Sequence, residues 1–185
     1  MELTRHYVEE LIFDGGHVDV ADPFVGRDNP FQLTVDVARG SYGCYIYTDK
    51  NDIVWLCQIA STEPTHRDFV SRNIHNETLW EEIGFIGVDS GYAGFFDKRP
   101  HLTLVQQGKL IDWMEEDPDD IAFIHDFADA NNPTPNDGFW SKSGEGDDMY
   151  SVYALKHEGE IVALEIRFNE AVAFINAPFE VEADR

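Results

Sequence analysis

Basic residues are scarce in this 185-residue chain. Thirteen Lys and Arg stand against 36 Asp and Glu, a formal net charge of −23. That imbalance argues against direct nucleic-acid binding, because the surface would repel phosphates. Cysteine is scarcer still. Cys44 and Cys57 are too few for a disulfide framework. No apolar run approaches the roughly 18–20 residues that a membrane span needs. The start, Met1-Glu2-Leu3-Thr4-Arg5-His6, lacks the basic-then-apolar pattern of a secretory signal. A cytoplasmic protein with no membrane partner is expected. Metal and nucleotide signatures are also missing. There is no C-x-x-C pair and no H-E-x-x-H among the seven histidines. Gly144-Glu145-Gly146-Asp147-Asp148 lacks the Lys-Ser/Thr of a phosphate loop. The sequence calls for no cofactor and no metal, and it offers no catalytic constellation.

What is present supports a packed core. The chain is 43% hydrophobic and 13% aromatic, which sets it apart from disordered acidic segments. Its length suits a single domain, residues 1–185. The charge is uneven. From Leu110 to Ser141 there are nine acids and no Lys or Arg. One reading is solubility, since a crowded acidic face keeps a protein dispersed. The other is mimicry of a nucleic acid, since −23 matches the charge of roughly a dozen base pairs.

Patterning gives a coarse secondary structure. Residues 4–13 read as a short helix, capped by Thr4, with Tyr7, Val8, Leu11 and Ile12 on one face and Gly15-Gly16 as the stop. His17 to Val20 alternates like a strand and ends at Asp22-Pro23. Residues 31–38 read as a strand, and 62–82 as helical with Thr65 as the cap. Ile83 to Val88 reads as a strand, and 102–115 is ambiguous. Asp117-Pro118 predicts a helix start, with Asp119 and Asp120 near the positive end of the dipole, running to about Ala130. Strands are expected around 139–141, 150–156, 161–168 and 172–175. The fold class is therefore α+β: a β-rich antiparallel or mixed sheet or sandwich with three or four helices.

Two related β-hairpins stand out, at 42–59 and 150–168. Tyr42, Tyr45, Ile53, Val54 and Leu56 recur 108 residues later as Tyr150, Tyr153, Ile161, Val162 and Leu164. The second hairpin turns at Glu158-Gly159. A turn at Lys50-Asn51 in the first would pair Tyr47 with Val54 and Cys44 with Cys57. A disulfide would then be within reach, although a reducing compartment favours two half-buried thiols.

Val88-Asp89-Ser90-Gly91-Tyr92-Ala93-Gly94-Phe95-Phe96-Asp97 resembles a motif, V-D-S-G-x-x-G-x-F-D, of an uncharacterised family of bacterial and phage proteins. That family also shows an early G-x-x-x-V-x-D-P segment and a late G-x-G-D-x-x-Y hairpin ending in I-x-F. Here these match Gly16 to Pro23, Gly144 to Tyr150 and Ile166 to Phe168. Asp148 departs from the small residue expected there. The resemblance implies a compact β-rich domain and no particular activity.

Two candidate sites follow. Asp89, Ser90, Gly91, Gly94 and Asp97 form a ligand-binding candidate, because glycines at a strand end let a backbone approach a ligand. The same pattern also describes a tight turn whose side chains bond the backbone. The G-x-S-x-G elbow is absent around Ser90. Glu115, Glu116, Asp117, Asp119 and Asp120 form a partner-binding candidate for a basic protein surface. His101, in Pro100-His101-Leu102-Thr103, would need a second copy of its motif to act as half of a two-histidine phosphoesterase. Three functions remain open. The chain is an acidic protein-binding domain (an inhibitor, immunity factor or DNA mimic), a small-ligand domain or enzyme using residues 88–97, or a structural or virion-associated protein.

Overall fold

A computed structural model describes residues 3–25, 30–97, 138–144 and 146–169, and the backbone of 122–125. The described residues are mostly β. Their one α-helix, α1 (Pro64–Asn73), and a single 3-10 turn (Glu77–Leu79) replace the three or four helices expected. Eleven strands build two antiparallel sheets: β1 (Thr4–Phe13), β2 (His17–Ala21), β3 (Leu33–Asp36), β4 (Gly40–Thr48), β5 (Val54–Ser61), β6 (Trp80–Val88), β7 (Tyr92–Phe96), β8 (Ala122–His125), β9 (Gly138–Lys142), β10 (Asp148–His157) and β11 (Glu160–Arg167). The first sheet runs β1-β4-β5-β11-β10-β6 and the second β3-β2-β7-β9-β8. Their inner faces share one core, which includes Phe13, Val20, Tyr42, Ile59, Phe95, Val152 and Ile166.

One predicted helix, 4–13, is a strand, and so are 122–125, the described part of another. Residues 4–13 form β1, and the cause of the misreading is a β-bulge between Tyr7 and Glu9. Val8 packs partly against the core while Leu11 and Phe13 are buried, so the inward spacing is three and then two. One extra residue in a strand imitates a helical i, i+3 step. Residues 122–125 form β8 through pairing with β9, overriding the helix-start signal before them. Residues 102–115, 117–120 and 172–175 lie outside the described residues.

The helix read over 62–82 is real only as α1. Pro64 takes its first turn and Glu63 its N-cap, in place of Thr65. Its seat on the outer face of the first sheet is a row of small residues, Gly43-Ala60-Ala163, continuing into Leu155 and Trp80. Val70 and Ile74 pack there, and the Trp80 indole N–H donates to the Ile74 carbonyl at 3.1 Å.

The strand order has an internal two-fold pattern. β1 pairs β4, β4 pairs β5 and β2 pairs β3; likewise β6 pairs β10, β10 pairs β11 and β7 pairs β9. The two units join where β5 meets β11 and β2 meets β7. Irregularities match as well. Val8, opposite the Tyr45 to Cys44 step, corresponds to Ile83, opposite the Tyr153 to Val152 step. The bulge at Trp55 corresponds to one at Val162. The chain thus repeats its architecture from β1–β5 to β6–β11, with β8 as an addition.

Candidate functional site

The Val88–Asp97 segment is the β6–β7 turn and β7 itself. The Asp22 carboxylate, fully buried at the end of β2, organises the turn. Its Oδ2 accepts the amides of Asp89 (2.9 Å) and Ser90 (2.8 Å). Its Oδ1 accepts the Ser90 hydroxyl (2.7 Å) and the Phe24 amide (2.8 Å). Ser90 Oγ in turn accepts the Tyr92 amide at 3.3 Å. Gly91 has φ +76°, a left-handed turn position that favours glycine. Gly94 is needed for a different reason. A Cβ there would run into the Phe139 carbonyl oxygen and the Trp140 backbone on β9. Asp89 presents its side chain to solvent, and Asp97 is half-buried.

The late hairpin reaches the same place. The Ser143 amide donates to the Gly91 carbonyl (2.9 Å), and the Tyr150 hydroxyl donates toward the carbonyls of Ser143 (2.9 Å) and Gly146 (2.7 Å). The Phe168 ring stands edge-on to Tyr150 at 5.1 Å. The segments 16–23, 88–97, 144–150 and 166–168, scattered in sequence, therefore meet at one end of the sandwich. The acceptor that ties them, Asp22, is in the sequence reading only a strand end and the Asp of the early G-x-x-x-V-x-D-P segment, not a site residue. The available signal was its repetition. Asp14-Gly15-Gly16 with Asp22 matches Asp89-Ser90-Gly91 with Asp97, 75 residues on.

The first unit repeats the turn without the same filling. Gly16 also has a left-handed φ, +72°, and its carbonyl accepts the Val37 amide at 2.9 Å, as Gly91 accepts from Ser143. The Tyr42 hydroxyl donates to the Ala38 carbonyl (2.7 Å), four residues upstream, as Tyr150 does to Gly146. Beside this turn lies a cavity of about 500 Å³ lined by Gly15, Gly16, Asp36, Arg39, His66 and Glu160 among others. Its charged lining is of mixed sign.

On the outer face of the first sheet one row crosses all six strands: Tyr7, Tyr45, Gln58, Glu165, Tyr153 and Glu82. Glu165 is fully buried. It pairs with Arg167 at 2.6 Å and accepts from the Gln58 amide at 3.1 Å. Burial pushes its carboxyl above the usual range, opposed by Arg167 and Gln58. The Arg5 guanidinium lies over Tyr45 at 3.6 Å, and that of Arg167 over Tyr153 at 3.8 Å. The matched tyrosines thus hold matched positions.

The hairpin register differs from the one read in sequence. The first turn is longer, with Asp52 at φ +59° and Asp49 accepting the Asn51 and Ile53 amides. Tyr47 therefore faces Leu56, Cys44 faces Ile59 and Cys57 faces Ile46. Both cysteines are free and buried, and burial raises both thiols. In the second hairpin the turn does fall at Glu158-Gly159. Because that turn is shorter, β11 is displaced by one residue relative to a constant offset of 108. Leu56 lies on the outer face and Leu164 in the core, so their sequence match is not a structural one.

Among the described residues no group of three or more His, Cys, Asp or Glu is placed to hold a metal ion, and no helix is long and apolar enough to cross a membrane. Glu115, Glu116, Asp117, Asp119 and Asp120, and His101, lie outside the described residues. Comparison with protein-family models, curated proteins and solved structures returned no match.

Proposed function

We propose that the protein is an acidic protein-binding domain that docks on a basic protein surface, as an inhibitor, an immunity factor or a mimic of nucleic-acid charge. One observation carries the reading. The two architectural units match strand for strand, yet β2 and β3 are joined by residues 22–32 while β7 and β9 are joined by residues 97–137. The additional stretch of about thirty residues holds most of the acid-only segment, including Glu115, Glu116, Asp117, Asp119 and Asp120. Function is carried disproportionately by segments inserted on a rigid scaffold. A segment of one charge sign steers and retains a partner of the other.

The alternative, a small-ligand domain or enzyme using residues 88–97, draws less support. The amides of Asp89 and Ser90 already donate to Asp22, and Gly94 is occupied by its contact with β9.

The test is a tagged pull-down from bacterial lysate at low and high salt, read by mass spectrometry, with a Glu115→Gln, Glu116→Gln, Asp119→Asn, Asp120→Asn variant alongside. One stoichiometric basic partner is expected, released by salt and lost in the variant. Retention of that partner by the variant counts against the reading.

A further inference from the structure

Exposed apolar side chains are scattered over the described residues, but three of them gather. Phe31 is 49% exposed, Phe85 53% and Met149 45%. Met149 on β10 faces Gly87 on β6, and Phe85 faces Ser151, so Phe85 and Met149 are diagonal neighbours on the outer face of the first sheet. Phe31 closes the group. Its carbonyl accepts the Gly87 amide at 3.0 Å, and a Cβ at Gly87 would lie 3.0 Å from the Phe31 Cβ and 3.3 Å from the Met149 sulfur. Glycine at 87 is thus the floor of a shallow apolar seat. Helix α1 packs over the other end of this face, on the row from Gly43 to Trp80, and the three apolar side chains of the seat stay about half exposed.

The rim is acidic at both ends. Glu82, exposed, accepts the Ser151 hydroxyl at 3.1 Å on one side. Asp89 and Asp147 are exposed on the other. From residue 82 to residue 89 the chain spans at most about 23 Å at ~3.3 Å per residue. An apolar centre with charge of one sign on two sides is complementary to an apolar side chain flanked by Lys or Arg.

We propose that Phe31, Phe85 and Met149 form the apolar centre of a docking surface for a basic protein segment, whose Lys and Arg meet Glu82 on one side and Asp89 and Asp147 on the other. The inference rests on the reading of an acidic binding domain and places a contact on the scaffold itself, apart from residues 115–120.

The probe is a fluorescein-labelled synthetic peptide with a central Leu-Phe-Leu and a pair of lysines on each side, titrated by fluorescence anisotropy at low and high salt. Native protein is expected to bind it, more weakly at high salt. The double variant Phe85→Ser, Met149→Ser should weaken binding at least about tenfold. Ile53→Ser, at an exposed hairpin tip, should leave it unchanged. A thermal midpoint for each variant confirms that it is folded. Native binding by the double variant, or no binding by the native protein, overturns the proposal. If neutralisation at 115–120 abolishes binding and the double variant does not, the seat falls and the acidic binding reading stands. Indifference to salt and to every variant removes both.

Discussion

The two architectural units, β1–β5 and β6–β11, share turns, bulges and tyrosines but treat their turns differently. Gly16 and Gly91 take the same left-handed conformation and accept equivalent amides, from Val37 and Ser143. Around Gly91, the Asp22 carboxylate gathers four donors within 2.9 Å. Around Gly16 the chain leaves a cavity. Backbone geometry is what the units have in common, because the turns and bulges that close a sandwich tolerate few alternatives. Side chains that fill the turns have diverged, and the long β7–β9 connection has no counterpart. Such divergence places novelty at the ends of the sandwich and in the inserted segment.

The most damaging test of that contrast is Asp22→Ala. It removes a buried acceptor from the Asp89, Ser90 and Phe24 amides and the Ser90 hydroxyl, and a cost of about 3 kcal/mol is expected from orphaned donors. Urea unfolding measures it. Asp97→Ala, at the matching position of β7, should cost clearly less, because Asp97 is half-buried and Asp22 fully buried. An equal loss at Asp97 would show that both turns are clamped alike and erase the difference.

Gly94→Ala comes next. Its counterpart on β2 is Asp19, a position where a side chain fits and accepts a hydrogen bond from Thr34. At Gly94 the added Cβ meets backbone of β9, which cannot swing aside, so a loss of about 2 kcal/mol is expected from overpacking. Thermal unfolding with Asp19→Ala as the companion checks it. If Gly94→Ala is neutral, β9 lies further from β7 than the contact implies and the second sheet is looser than the first.

Much of this architecture was legible and some was hidden for physical reasons. The hairpins were visible because alternation and turn residues are local. The matched tyrosines were visible because β4 and β10 keep one offset. The rest of the duplication was obscured by its changing offset, 75 residues for β1 and β6 but 108 for β4 and β10, a consequence of the long β7–β9 connection. The bulge at Val8 disguised β1 as a helix, and β8 depends on its partner strand. In the candidate site, Ser90, Gly91 and Gly94 were readable as a motif. Asp22 was readable as the Asp of the early G-x-x-x-V-x-D-P segment, but its role as their acceptor was not, since it lies 67 residues from Asp89 and nothing local advertises a long-range acceptor.

The gentlest test uses the pair that the units share most closely. Tyr42 and Tyr150 are both buried, and each hydroxyl donates to the carbonyl four residues upstream. Phenylalanine keeps the ring packing and deletes only the donor, so Tyr42→Phe and Tyr150→Phe should each cost about 1 kcal/mol in urea unfolding. Their second acceptors differ. Tyr150 leans toward Ser143 within its own unit, whereas Tyr42 leans toward Ile161 at 3.3 Å, on β11 of the other. A single hydroxyl proton divided between two acceptors gives the farther one little, so the Ile161 contact should add little to the loss at Tyr42. Similar losses that add in the double variant would mean that each tyrosine pins its own strand entry independently. A markedly larger loss at Tyr42, or losses that fail to add, would mean that this hydroxyl also fastens one unit to the other.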